Sequence, residues 1–409
     1  MPRIKAFQAL RPVERSAAQV ASVPYDVVNR EEAAALAEGN PNSFLHVVRP
    51  DIDFPPDADP YAPVIYQKAR QNFDRLISEG TLFRDTEDCV FVYRQIMNGQ
   101  AQHGLVACCH VDDYENNLIL KHEKTRKAKE DDRTRHVIAL NANAGPVFLT
   151  YRDVEEVNQL VGDVIHGRPI YDFVAVDGIQ HTVWRIDQPA TLVKLLSSVK
   201  VFYVADGHHR AASAWRAGKE RRAANPDHRG TEEYNWFLTV LFPASELKIL
   251  AYNRVLKDLN GLTTAGLLDR LRAIGTLEET TNPVPPSAGS FCFFVADGWY
   301  RLTVPANTIR HEDAIASLDV AILEERVLQP IFGIGDVRTD SRIDFVGGIR
   351  GTAELEKLVR SGSWAVAVSM YPTSIAQLMA VSDAGEIMPP KSTWFEPKLR
   401  SGLLVHTLD

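Results

Sequence analysis

Short apolar runs bounded by Gly, Pro and Asn alternate along this chain with longer stretches whose apolar positions recur three and four residues apart. Ile4 to Leu10 alternates and predicts a first strand, and Arg30 to Glu38, rich in Glu and Ala, predicts a helix closed by Gly39-Asn40-Pro41-Asn42. Phe44 to Val48 reads as a short buried strand, and Ile65 to Glu79 as a helix stopped by Gly80. Val90 to Gln95 and Leu105 to Val111 flank Asn98-Gly99, a strong hairpin signal, with a loop longer than two residues between the apolar windows. Gly145 to Tyr151, Tyr171 to Val176 and Ile179 to Ile186 predict strands, with helices at Val154 to Ile165 and Pro189 to Ser197. Trp236 to Phe242 and Leu247 to Val255 suggest a strand pair, Thr264 to Ile274 a helix, and Ser290 to Val304 a hairpin turning at Asp297-Gly298. Ser317 to Leu328 is amphipathic, Ala365 to Met370 is β-like, and Ser374 to Ser382 is helical. This mixture predicts an α+β fold with mixed sheets rather than a regular alternating barrel.

At 409 residues the chain exceeds what one core usually serves. The expected division is an N-terminal α/β region over 1–115, a core over 116–260, and a C-terminal α/β region over 261–409 packing back on the site. A formal charge of −8 argues against nucleic acid as a general partner. No stretch has the length of a membrane span and Met1 to Pro12 lacks a signal-peptide core, so the expected location is cytoplasmic, with no membrane partner. Cys89, Cys108, Cys109 and Cys292 form no CxxC pair, and Cys108 and Cys109, inside the apolar run Leu105 to Val111, read as small buried thiols.

The densest chemistry lies at Asp206-Gly207-His208-His209-Arg210, after the apolar run Val201 to Ala205 and before Ala211-Ala212-Ser213-Ala214-Trp215. That order predicts strand, tight turn and helix, which places unpaired N–H groups and the positive end of a helix dipole where phosphates bind. Gly207 would admit an anion closely, His208 and Arg210 would bind it, and Asp206 and His209 would supply acid–base or metal chemistry. The alternative is an N-capping Asp206 followed by solvated histidines. Lys121 to Arg133 mixes signs: His122, Lys124, Arg126 and Arg133 could neutralise phosphoryl charge with Thr125 beside them, while Glu123 or Asp132 could hold magnesium or take a proton. A solvated helix tied by Glu–Lys pairs is the competing reading. Lys391-Ser392-Thr393 after two prolines offers an ammonium and two hydroxyls without the glycines of a P-loop, against a surface turn. Asp26 precedes a helix and is either a cap or a base. No G-x-S-x-G, H-E-x-x-H or strand-linked G-x-G-x-x-G is present, which leaves phosphoryl transfer or hydrolysis as the best-matched chemistry.

Tyr203-Val204-Ala205-Asp206-Gly207-His208-His209-Arg210 resembles the ParB and sulfiredoxin superfamily, whose strand-turn-helix motif lies beside bound nucleotide or phosphate. With Val23-Pro24-Tyr25-Asp26-Val27-Val28, His122-Glu123-Lys124-Thr125, Leu318-Asp319-Val320 and Met388-Pro389-Pro390-Lys391-Ser392-Thr393, the whole chain resembles the family named domain of unknown function 1015. The nearest enzymatic resemblance is to free serine kinases. It implies a ParB/sulfiredoxin-like core and magnesium-assisted transfer from ATP, ADP or pyrophosphate to L-serine or a similar hydroxyl. On that reading Asp26 or Glu123 deprotonates the acceptor, Asp206 positions Mg2+ or His209, and residues 391–393 add contacts to the donor. Hydrolysis of phosphoserine, or a nucleotide-dependent switch without turnover, are the alternatives, and a homodimer is compatible with either.

Overall fold

The computed structural model describes residues 1–296 and 298–409, which form two compact units: Met1–Leu247 with Pro397–Asp409, and Lys248–Glu396. Among the described residues no helix is long and apolar enough to cross a membrane.

The first unit is built on a mixed sheet of nine strands among the described residues: β1 (Ile4–Lys5), β2 (Val90–Met97), β3 (Gln100–His110), β4 (Ile119–Leu120), β5 (Val147–Tyr151), β6 (Tyr171–Val174), β7 (Gln180–Ile186), β8 (Phe202–Asp206) and β9 (Trp236–Pro243). Their order is β4-β8-β5-β9-β3-β2-β7-β6, with β1 beside the end of β3. The β4–β8 and β5–β9 pairs are parallel and the others antiparallel. Neighbouring residues of a strand point to opposite faces, so burial of both Cys108 and Cys109 shows that the sheet is covered on both sides. Helices α3 (Glu155–Val164) and α4 (His208–Ala224) pack on it, while α1 (Pro63–Ser78) and α2 (Lys127–Leu140) share a second core around Leu10, Phe44, Phe73 and Leu140. Val157 of α3 and Ala211, Ala212 and Ala214 of α4 join Leu149, Phe202, Val204 and Phe237 of the sheet in one core. The small residues let α4 lie close: a Cβ at Gly218 would fall 2.7 Å from the Tyr234 carbonyl oxygen.

Three local expectations change. Asn98 and Gly99, at φ 51 and 77, make a two-residue turn in which Met97 pairs with Gln100, because the pairs Gln95–Gln102, Ile96–Ala101 and Met97–Gln100 carry the ladder beyond both apolar windows. Phe44 to Val48 is not a strand: Leu45–Val48 is a short buried helix, a choice that periodicity in so brief an apolar run does not decide. The expected strand pair is split, with Trp236–Pro243 in the first unit's sheet and Tyr252–Leu256 in the second's.

The second unit carries an antiparallel sheet of six strands among the described residues: β10 (Tyr252–Leu256), β11 (Thr276–Glu279), β12 (Ser290–Val295), β13 (Gly298–Thr303), β14 (Ile343–Gly347) and β15 (Val366–Met370), in the order β11-β13-β12-β15-β10-β14. The β12–β13 pairing agrees with the expected hairpin, while Asp297 at its turn lies outside the described residues. A helix over Ile375–Asp383 starts with a capping box between Ser374 and Gln377.

Candidate functional site

Strand β8 ends at Asp206, Gly207 turns the chain at φ 90 and ψ 32, and α4 begins at His208. That left-handed conformation is open to glycine at little cost and strained for other residues. A Cβ on Gly207 would also lie 3.0 Å from Cζ and Nε of Arg210. Gly207, not Asp206, is the N-cap, and no side chain caps the first turn of this 17-residue helix. Gly207 has no side chain, so the N–H groups that an α-helix leaves unpaired in its first turn receive no acceptor from the N-cap residue.

Asp206 is instead an ion-pair partner. Its Oδ2 accepts from Arg210 Nη2 at 3.0 Å and lies 3.9 Å from Lys398 Nζ. Burial pushes its carboxyl up, but the Lys398 and Arg210 cations outweigh burial and hold it at about 2. Arg210 also donates to the Pro146 carbonyl oxygen, and its Nε is buried without a partner. The guanidinium is therefore folded back on its own turn. It braces Asp206 and is not presented as a fork to an incoming phosphate, which revises the role expected of it.

The imidazoles are likewise not the cations the sequence suggests. His122 and His208 are buried and meet edge to face, centroids 4.5 Å apart at 88°. Burial lowers His122 to about 4 and His208 well below its usual range. Both are neutral at pH 7 and cannot neutralise phosphoryl charge. His208 Nε2 has no partner, and its Nδ1 lies 3.8 Å from Glu123 Oε2. His209 is also lowered, first by burial, and its Nε2 accepts the Arg126 N–H at 3.1 Å. A histidine kept neutral stabilises the fold fully above its unfolded pKa and loses that contribution as pH falls toward the folded value. The His122 ring resonances should accordingly stay fixed in an NMR titration from about pH 8 to about pH 5.5. Movement centred near pH 6.5 would show an imidazole open to solvent.

The remaining candidates divide. Asp26 is exposed, and Asn29 rather than Asp26 caps the helix Arg30–Ala37. Its charge acts on both His209 and Arg210, which places the carboxylate around the same first turn. Lys124 is exposed, and Thr125 Oγ1 donates to Glu130. Asp132 is fully engaged, Oδ1 with the Tyr66 hydroxyl at 2.8 Å and Oδ2 with Arg133 Nε at 2.9 Å. Magnesium held by Asp132 and Asp206 does not fit this donor set. Each carboxylate is committed to a cation, and no group of three or more His, Cys, Asp or Glu suited to a metal occurs among the described residues. Lys391, Ser392 and Thr393 belong to the second unit, where Ser392 Oγ donates to the Pro389 carbonyl oxygen at 2.6 Å.

Lys398 is the residue that sequence reasoning missed. The tail bearing it is stitched into the first unit: Gln95 Nε2 donates to the Lys398 carbonyl oxygen at 2.9 Å, and Ser401 N–H donates to the Ser22 carbonyl oxygen at 2.8 Å. Arg400 pairs with Asp177. The basic run between Pro397 and Gly402 was the available signal, but nothing local says where a tail returns. Beside Arg210 a cavity of about 40 Å³ is lined by Tyr25, Arg133, His136, Gly145 and Ser401, among others.

Fold and site together define a mixed α/β protein in which an ionised acid and a glycine-turned helix start share the end of one strand. The chain belongs to the family described as protein of unknown function (DUF1015), whose pattern matches residues 4–321. Among solved structures it is similar to a conserved hypothetical protein from Pyrococcus furiosus, at 12% identity and TM-score 0.35 over 73% of this chain and 94% of that one. It is similar to a free serine kinase in complex with AMP at 13% identity and TM-score 0.35, covering 73% and 91%. SbnI with C-terminal truncation from Staphylococcus aureus matches at 14% identity and TM-score 0.39, covering 73% and 86%. No curated protein matches the chain.

Proposed function

We propose that the protein is a phosphotransferase that moves a phosphoryl group from ATP, ADP or pyrophosphate to the hydroxyl of free L-serine or a similar metabolite. The observation that carries this reading is the uncapped first turn of α4 behind the left-handed Gly207, beside an acid held ionised by two cations. Transfer of this kind needs mainly alignment and charge neutralisation. Backbone N–H groups of His208, His209 and Arg210 would cradle the donor phosphates, with Lys398 supplying the charge the histidines lack. Asp206, held at about 2, is too weak a base to take a proton at neutral pH and instead fixes Lys398 and Arg210. Deprotonation of the acceptor falls to Asp26 or Glu123, the exposed acids around the turn. The ParB/sulfiredoxin-like reading of β8, Gly207 and α4 belongs to this proposal, and the serine acceptor rests on family resemblance rather than on site geometry.

The test is phosphoserine formation followed by 31P NMR, with L-serine, magnesium in the buffer, and ATP, ADP or pyrophosphate in separate reactions. Phosphoserine is expected with one of these donors, and Asp26→Asn should lower kcat about 100-fold with little change in KM if Asp26 is the base. Loss of added phosphoserine without a donor product would replace this reading by a phosphatase. Nucleotide binding without any turnover would replace it by a switch.

A further inference from the structure

The second unit contains a buried cation with no acid against it. Arg254 on β10 is 3% exposed. Its guanidinium donates to the carbonyl oxygens of Tyr252 and of Lys391, the latter at 3.1 Å. It lies 5.4 Å from the ring centroid of Phe345, its cross-strand partner on β14. Among the described residues no carboxylate comes within 4.0 Å of it. Glu324 acts on it only from farther away, and burial pushes the Glu324 carboxyl up, which weakens that compensation. Burial correspondingly draws Arg254 down to about 10. Carbonyl dipoles satisfy N–H groups but do not neutralise a charge, so a buried guanidinium in this setting lacks its counter-ion.

A second cation is delivered to the same place. Lys391 is exposed, adopts φ 60, and holds Nζ 5.4 Å from the ring centroid of Tyr252. A lysine in that left-handed region is strained, and such strain persists only where surrounding structure enforces it. The enforcement is visible. Thr373 Oγ1 donates to the Ser392 carbonyl oxygen at 2.8 Å, and Trp394 packs edge to face on Tyr252 at 4.9 Å. Trp394 also lies so close to Gly347 that a Cβ there would come 2.7 Å from the indole. Two positive charges are thus fixed around one aromatic pair, Tyr252 and Phe345, by a loop that spends backbone strain to do it.

We infer that this cluster is a phosphate-binding site in the second unit, with Arg254 and Lys391 supplying the two charges that neutralise a phosphoryl dianion. Arginine suits the buried position because it forks to planar or tetrahedral oxyanions, and lysine suits the rim as a mobile point charge. The inference concerns the second unit alone and stands whether or not the turn after Asp206 transfers phosphoryl groups. The phosphate could arrive free or as part of a nucleotide, and the two sources are separable.

Titration calorimetry of the full chain with inorganic phosphate and, separately, with ATP tests it against Arg254→Met and Lys391→Met. Both substitutions are expected to weaken binding at least tenfold in whichever arm shows it. Binding of inorganic phosphate identifies a free anion site, and binding of ATP alone identifies the nucleotide as the source. Absence of binding in both arms overturns the inference, as does a number of bound ligands per chain that neither substitution lowers in folded protein; affinity that remains after one site is lost belongs to the turn after Asp206. If Arg254→Met fails to fold, the exposed Lys391→Met decides by itself. Because the readout is affinity and not turnover, failure of phosphoserine formation leaves this result untouched.

Discussion

Gly207→Ala is expected to cut phosphoserine formation by about two orders of magnitude and to destabilise the first unit by about 2–4 kcal/mol, read from kinetics and from denaturant melts. Two independent penalties combine. At φ 90 an L-residue pays about 1–2 kcal/mol of backbone strain. The new methyl would also meet Cζ and Nε of Arg210 at 3.0 Å. Arg210 cannot swing aside, because it is buried and tied to Asp206 and to the Pro146 carbonyl. The strain therefore passes to the ion pair and to the direction of the first α4 N–H groups. A shift of about 1 Å in such donors is enough for a hundredfold loss. An alanine variant with unchanged melting and unchanged turnover would show that neither the turn nor its donors matter. Loss of stability with full activity would leave the turn structural and move the chemistry elsewhere.

What could be read from the sequence is what is local. An apolar run, a glycine and a polar helix start specify strand, turn and helix within a few residues, and the structure places them at β8, Gly207 and α4. The fate of each polar side chain at that turn was not legible, because it depends on partners far along the chain. His208 reads as a cation until His122, many residues earlier, is found buried and packed against it. Arg210 reads as a phosphate fork until Pro146 and Asp206 are found to take two of its nitrogens. Lys398 sits in a basic run, but nothing local says where that run packs, since the tail rejoins the first unit only after the whole second unit in sequence. Helix capping misled in the same way: Asp26 and Asn29 both precede a helix, and only the reciprocal bonds between Asn29 and Glu32 settle which one caps it.

Asp206→Asn is expected to lower the stability of the first unit by about 3–5 kcal/mol at neutral pH, because it leaves Arg210 and Lys398 without their shared counter-charge. The pH dependence makes this test specific to the ion pair. Asp206 is held at about 2 against an ordinary 3.8, so its contribution is complete above about pH 4 and is lost as pH falls through the folded value. The pairing supplies on the order of 2 kcal/mol by that linkage. Other acids share the direction, Glu233 among them, held at about 2 beside His406 and Lys5, so the variant keeps some acid sensitivity. The decisive quantity is the difference in denaturant midpoint between wild type and Asp206→Asn, which should narrow steadily from about pH 5 to about pH 2. A difference that stays constant over that range would mean that the asparagine is penalised for packing alone. In that case the ionised Asp206 would not be what holds Lys398 at the turn, and the proposed phosphate cradle would lose its charge.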